Sequence, residues 1–511
     1  MRKTLIALLL VLALPLTGCA KEPVPDVAAS PEPSVSTTPV STPTEFSLPY
    51  YSDSSLHPIT GANQSTLVLS NLVYQGLFEL DNTFTAHGVL CSDTSVSVDG
   101  LTWTLTLSDA VFSDGSPVTA ADVAASLELA RSSKLYSRRL STLRQITANG
   151  DGTVTILLSQ PNGSLPNLLD TPIIRDRGDG SMPLGTGPYA FVEDDGPLRL
   201  ARQASAPETA PHEIALIPIE GADELIYAFD AGNISLVVSD LTGTNALGFS
   251  SGYEVFRYPT TTMLYVGFQT ASGPCRDALI RQAISRSFDR EAVTSSLLAG
   301  HAAATCLPFS PYSTLYHKGY EEPLAYDPAA VELLRAAGCT TGENGQLYLG
   351  RTALSLTFVV NTDNSFKLSI AEYLAEQLTE LGISVDLQKL SWEDYIAALE
   401  QGNFDLYLGE VTLTADFDLS PLLSQSGALN YGRYTNPETD ALLIQLRAAS
   451  KSDLAQTSDA FLEQFQADMP IAPLCFKSHA VLTRWGSISG LTPTRQNPFY
   501  HLESLRFDAV R

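Results

Sequence analysis

The sequence predicts an α/β protein in which a β-rich part precedes a doubly wound one. Three observations carry that reading. The chain has 511 residues, enough for about three domains at roughly 150 residues each. Residues 352–411 switch regularly between strand and helix periodicity. Residues 96–112 alternate apolar and polar around a turn, as a hairpin does.

The doubly wound part is the clearest. TALSLTFVV (352–360) reads as a strand. In the helix that follows, Phe366, Ile370, Tyr373, Leu374, Leu378 and Leu381 recur at three- and four-residue spacing until Gly382 ends it. ISVDLQKL alternates like a strand, Ser391 with Asp394 forms a capping box, Gly402 closes the helix so opened, and FDLYLGEV is a third strand. Such a βαβαβ unit implies a parallel sheet covered by helices. Further helix starts are Thr119 with Asp122, Asp327 before Pro328, and Asn436 before Pro437. In VSVDGLTWTLTLSDAVF, Asp99 and Gly100 sit between alternating runs at the turn of a hairpin.

Composition excludes several classes of function. Asp and Glu outnumber Lys and Arg 56 to 30, a formal charge of −26, which argues against nucleic acid and against docking on anionic lipid through a basic patch. Charged residues are 17% and apolar ones 44% of the chain, values that fit neither a disordered chain nor a polytopic membrane protein.

The first residues set an address. Arg2 and Lys3 precede the apolar run Leu5 to Leu14, followed by Leu16, Thr17, Gly18 and Cys19. This is the layout of a signal peptide over residues 1–18. The Cys directly after small residues resembles a bacterial lipobox, implying cleavage before Cys19, its lipidation, and a protein held outside the cytoplasm on the cell membrane. Residues 19–46 are rich in Pro, Ser and Thr and read as an extended tether. Five cysteines follow: Cys91, Cys275, Cys306, Cys339 and Cys475. An odd number leaves at least one unpaired; a Cys275–Cys306 bridge stays open, with buried free thiols the simpler default.

Short catalytic motifs fail on context. Gly248 to Gly252 fits GxSxG around Ser250, yet YEVFRY follows it, a strand where a nucleophile elbow needs a helix. A secreted serine hydrolase is therefore a remote alternative. Gly185 to Ala190 fits GxGxxA, but SMPL is a poor preceding strand and Pro188 removes an amide that a phosphate would need. The seven His include no HExxH and no i, i+4 pair, so no metal site or cofactor is expected.

Several blocks in order carry a family resemblance: NLVYQGL (71–77), DGLTWTL and FSDGSPVTAADVAASLE (99–128), LGTGPYAF (184–191), RDALIRQAISRSFDREAV with SLLAG (276–300), YDPAAVELLRAAG (326–338), GNFDLYL (402–408), NPETDALL (436–443) and MPIAPL (469–474). From residue 47 onward the chain resembles the extracytoplasmic solute-binding proteins of ABC importers, family 5, the peptide and nickel class. The resemblance implies a periplasmic-binding-protein-like two-lobed clamp of type II, in the large class with an inserted domain. Lobe I would comprise residues 47–82, 186–258 and 471–511, the insertion 83–185, and lobe II 259–470.

It further implies a monomeric binding protein, not an enzyme, that captures a peptide-like solute and hands it to a permease and ATPase complex. A nickel chelate or oligosaccharide cargo, or a peptide-sensing receptor, are the alternatives within the fold. For the ligand's α-ammonium the resemblance offers Asp416 or Asp418 in TADFDLSP, with Asp416 preferred because Asp418 can cap the helix before Leu422. Asn63 and Gln64, in a loop that aligns with a cleft-facing segment, are further candidates, with ordinary turn roles as the competing explanation. The chain departs from the pattern at Glu410 to Thr414, where relatives often carry Trp, and at Gln269, where Asn is usual.

Overall fold

The computed structural model describes residues 46–61, 64–250 and 252–507. The expectations for the leader, for Cys19, for the tether up to residue 45 and for Asn63 lie outside those residues. Among the described residues no helix is long and apolar enough to cross a membrane.

The βαβαβ unit forms as the pattern requires. Strands Ser355–Asn361, Ser384–Leu390 and Leu406–Thr412 are mutually parallel, with Ser355–Asn361 in the middle. Helix Ser365–Glu380 buries Ile370, Ala371, Leu374 and Leu378. Helix Trp392–Gln401 is capped by the Ser391 hydroxyl, which accepts from the Asp394 N–H. Gly402 closes that helix in the left-handed region, φ 76°, which a residue with a Cβ enters only at a cost.

The parallel strands belong to a seven-stranded mixed sheet. Its order runs Leu236–Ser239, Ile471–Arg484, Tyr253–Phe268, Leu406–Thr412, Ser355–Asn361, Ser384–Leu390, with Ala302–Ala304 also paired to Ile471–Arg484. Two other four-stranded sheets stand apart from it. One pairs Ser47–Tyr51 in parallel with Glu213–Ile219 and continues antiparallel through Arg199–Arg202 to Tyr189–Phe191. The other is antiparallel and contains the expected hairpin, Cys91–Val96 against Thr102–Leu107, with Asp99 and Gly100 in the connection. Helix Ala120–Ser132, held by the Thr119–Asp122 capping box, lays Val123, Leu127 and Ala130 into the same core as Leu105, Val154 and Ile156.

GTGPY is scaffold. A Cβ on Gly185 would fall 2.1 Å from the Val73 carbonyl oxygen, and one on Gly187 2.5 Å from that of Leu72. These glycines let the turn before strand Tyr189–Phe191 lie against the end of helix Gln64–Val73.

Two large hydrophobic cores result. One gathers Leu48, Leu72, Leu105, Val123, Ile156, Leu200 and Leu216. The other gathers Ile284, Phe358, Leu374, Leu406 and Phe461. Two long antiparallel strands run through both. In Tyr253–Phe268, Tyr258 is buried in the first core and Met263 to Val266 in the second; in Ile471–Arg484, Val481 lies in the first and Leu474 to Phe476 in the second. Two cores joined by two strands make a two-lobed clamp. The pairing of those strands is interrupted where they pass between cores: Pro259 opposes Ser478 and Met263 opposes Phe476, so Thr260 to Thr262 bulge out of the ladder.

Buried arginines brace the second core. Arg290 is 1% exposed, and its guanidinium donates to the carbonyls of Pro473, Ser285 and Phe288 and to the Ser285 hydroxyl. All five described cysteines are buried and free, so Cys275 and Cys306 form no bridge.

Candidate functional site

The bulge at Thr260 to Thr262 opens onto a cavity of about 360 Å³. Its location follows from topology. Thr412, at the carboxyl end of the parallel strand Leu406–Thr412, lines it, and ligands of open α/β sheets bind beyond the carboxyl ends of their strands. Thr260 and Thr262 on one long strand and His479 on the other form the floor between the cores. Helix Gln64–Val73 contributes Val68 and Asn71, the segment 135–139 brings Tyr136 and Arg139, and the loop 494–498 brings Arg495.

The hydroxyls on the floor are held in place. Thr260 Oγ1 donates to the Lys477 carbonyl at 2.7 Å, and Thr262 Oγ1 lies 2.9 Å from Thr412 Oγ1. Below them runs a charge network that ties the crossing together. Lys477, 2% exposed, has its Nζ 2.7 Å from Asp240 Oδ2 and 3.8 Å from Glu410 Oε2, and Glu410 also faces Lys367 at 3.7 Å. Burial alone would raise the Asp240 pKa, but the Lys477 ammonium brings it below the usual carboxylate value.

The walls carry two guanidinium groups in unlike circumstances. Arg139 is ion-paired with Asp170, a carboxylate only 2% exposed, and its guanidinium carbon lies 5.0 Å from the centre of the Tyr136 ring. Arg495 has no such support. Among the described residues its side chain makes no hydrogen bond and no ion pair. Burial, then repulsion from Arg139, brings its pKa down to about 10, with Asp170 acting the other way. It nonetheless stays charged at neutral pH. His479 beside them is held below the ordinary imidazole value by burial first, with Lys477 and Arg495 adding to that and Asp240 and Glu410 opposing it. In a chain of formal charge −26, this cavity is locally cationic.

The acidic candidates lie elsewhere. Asp416 is not on the cavity wall. It sits in a separate recess of about 20 Å³ with Asn162, Ser164, Leu315 and Arg447. Its carboxylate accepts from Asn162 Nδ2 at 2.9 Å and from the Thr414 hydroxyl. Burial raises its pKa, and its charge bears on Arg139. The bond to Asn162 is one of several between residues 161–167 and the second core's lobe: Gly163 N–H donates to the Arg447 carbonyl, Arg447 Nε to the Pro161 carbonyl, and Asn167 Nδ2 to the Ala415 carbonyl. Asp418 accepts from the Ser420 N–H at 2.9 Å, at the entry to the short helix Ser420–Leu423. The expected capping role is not what forms: the N-cap residue of that helix is Leu419, with no side-chain cap, and Asp418 holds the turn just before it. Gln64 begins helix Gln64–Val73, and Asn63 lies outside the described residues.

The structure bears on the motifs set aside earlier. Ser250 donates its hydroxyl to Asp230, and strand Tyr253–Phe268, not a helix, follows. Among the described residues no group of three or more His, Cys, Asp and Glu is placed to hold a metal ion. Arg139, Asp170 and Arg495 were not found from sequence. Neither the segment 135–139 nor the loop 494–498 has periodicity or a motif, and nothing local marks an arginine that makes no hydrogen bond or ion pair among the described residues.

Comparison with known proteins agrees with this architecture. Residues 85–430 match the family described as bacterial extracellular solute-binding proteins, family 5 Middle. The oligopeptide-binding protein AppA of Bacillus subtilis is 24% identical over 440 residues, covering 80% of this chain and 81% of that protein. The glutathione-binding protein GsiB of Salmonella typhimurium is 25% identical over 454 residues, covering 80% and 84%. Among solved structures, the unliganded open form of the murein tripeptide-binding protein MppA superposes with a TM-score of 0.74 at 20% identity, covering 91% of this chain and 97% of that one. A nickel ABC transporter protein from Bacillus halodurans gives 0.74 at 21% identity, covering 89% and 98%.

Proposed function

The chain belongs to the bacterial extracellular solute-binding proteins of family 5, and from that premise we propose that it is the cargo-capturing component of an ABC importer. Held to the cell membrane through Cys19 and the tether, it takes up a peptide-like solute in the cavity at the strand crossing and delivers it, chemically unaltered, to a permease and ATPase complex. The proposed lobe boundaries are residues 47–82, 186–258 and 471–511 for the first lobe, 83–185 for the inserted domain and 259–470 for the second. In the second long strand Leu474 to Phe476 pack in the second core, so we take the passage between lobes to lie near Lys477 and Ser478 rather than at residue 471.

The observation that carries the proposal is the cavity itself. It lies at the carboxyl end of a parallel strand, on a bulge of two strands that are the shared spine of both cores. Solute held there touches both lobes, so it favours the closed arrangement to the extent that it binds that arrangement more tightly than the open one. Extended peptides suit such a site because their main chain supplies hydrogen bonds whatever their side chains.

Within this reading Asp416 receives the peptide's α-ammonium. An ammonium there replaces the Asn162 amide as the carboxylate's partner, so the same group links lobes in one state and cargo in the other. Titration calorimetry with trialanine and N-acetyl-trialanine tests it. Asp416→Ala should weaken the free-amine peptide by about 2 to 5 kcal/mol, because a desolvated ammonium loses its counter-charge, and should leave the acetylated one unchanged. Equal losses for both peptides, or none, would remove Asp416 from the site.

A further inference from the structure

We propose that Phe84 is a latch that holds the two lobes together through protein contacts alone and must be withdrawn before cargo enters or leaves. Its effect on cargo rests on the reading of the protein as a capturing clamp; the latch itself rests on its contacts. Phe84 stands at the tip of the hairpin formed by Phe78–Leu80 and Ala86–Gly88. The root of that hairpin belongs to the first core, through Leu77, Phe78 and Leu90. Its tip does not. The Phe84 ring is buried in the second core, edge-on to Phe417 with ring centres 5.0 Å apart, and Phe417 packs edge-on against Phe309 and Phe476. The two long strands join the cores by continuous backbone, whereas this link is a side chain in a socket and can part without unpairing a strand.

Both halves of the joint are strained. Phe84 has φ 61° and Phe417 φ 54°, the left-handed region that a bulky side chain rarely enters. Such strain persists where neighbouring contacts over-determine it, and it gathers at switch regions. At Phe84 the determinant is Asp81, whose carboxylate accepts from the N–H groups of Thr83 at 2.8 Å and Thr85 at 3.0 Å while its carbonyl accepts from the Phe84 N–H. A polar clasp lies alongside. Asn167 Nδ2 donates to the Phe84 carbonyl at 2.9 Å and to the Ala415 carbonyl at 3.3 Å, so one amide joins the hairpin tip to the residue before Asp416. The Gly163 N–H donates to the Arg447 carbonyl at 2.8 Å, at the end of helix Pro437–Ala448, and a Cβ on Gly163 would collide with the Ala449 carbonyl oxygen. Closure is therefore sensitive to single atoms at two points.

Cargo enters and leaves through the open form, so a latch lowers both rates by lowering the open fraction. Small-angle scattering of protein stripped of cargo by unfolding and refolding, with stopped-flow fluorescence on adding trialanine, tests this. Phe84→Ala should enlarge the radius of gyration and speed both association and release at least threefold. Phe84→Leu, which keeps an apolar plug, should recover part of each change. Gly163→Ala, which touches neither ring, should shift radius and rates in the same direction, showing that lost core packing is not the cause. Radii unchanged in both Phe84→Ala and Gly163→Ala would overturn the latch, and so would release that quickens while association does not. Enlarged radii in both variants of a protein that ignores trialanine would sustain the latch and count against peptide capture.

Discussion

Replacing Arg495 by methionine should make the cargo-free protein more stable. The guanidinium faces Arg139, and burial followed by that repulsion brings its pKa from the ordinary arginine value down to about 10. Holding it charged at pH 7 therefore opposes folding by an amount on the order of 3 kcal/mol. Residual contact of the side chain with solvent reduces this to about 1 to 2 kcal/mol. The sign follows from linkage: the unfolded chain binds this proton more tightly, so the penalty applies in full below the folded value and is relieved as pH rises above about 10. Methionine keeps much of the apolar stem and removes the charge.

At about 2 cal/mol/K of unfolding entropy per residue, a chain of this length gains roughly 1 to 2 K in Tm. Arg139→Met should go the other way, because it strands Asp170, 2% exposed, without a counter-ion, at a cost of about 3 to 5 kcal/mol. Differential scanning calorimetry at pH 7, after cargo has been stripped by unfolding and refolding, reads both. A fall in Tm for Arg495→Met as large as that for Arg139→Met would refute the view that Arg495 lacks a structural partner.

Two further outcomes are expected. Arg290→Leu should cost about 3 to 5 kcal/mol in urea unfolding, since it orphans the carbonyls of Pro473, Ser285 and Phe288 inside the second core. His479 has a folded pKa below its ordinary value of 6.5, so the unfolded chain takes up that proton first as pH falls, and stability declines on acidification below about neutrality. The Tm of His479→Gln should accordingly fall less than that of the wild type between pH 7.5 and 5.5.

The parts of the fold that were legible in the sequence are those fixed by neighbours in the chain. Ser391 with Asp394, Thr119 with Asp122 and the period of Ile370, Leu374 and Leu378 act within a turn or two of helix, so the pattern and the structure coincide. The crossing strands were harder to read. YEVFRY is evident as a strand, but its continuation to Phe268 is buried on both faces and shows no alternation, and the bulge at Thr260 to Thr262 depends on pairing with residues more than two hundred positions away.

The site divides in the same way. Asp418 sits in a local turn that its own sequence announces. The partner of Asp416, Asn162, lies 254 residues away, and the meeting of Arg139, Asp170 and Arg495 in one cavity wall is purely tertiary. Formal charge misleads there too. The chain carries a formal charge of −26, whereas Arg139 and Arg495 both line the cavity.

Hydrogen–deuterium exchange with and without a tryptic digest of casein, a mixture of free peptides, tests the central claim most directly. Capture at the strand crossing predicts slowed exchange at the amides of Thr260 to Thr262, Thr412 and the loop 494–498, with the peptides recovered intact afterwards. Peptides that bind while those amides exchange at unchanged rates, or that are recovered shortened, would contradict it.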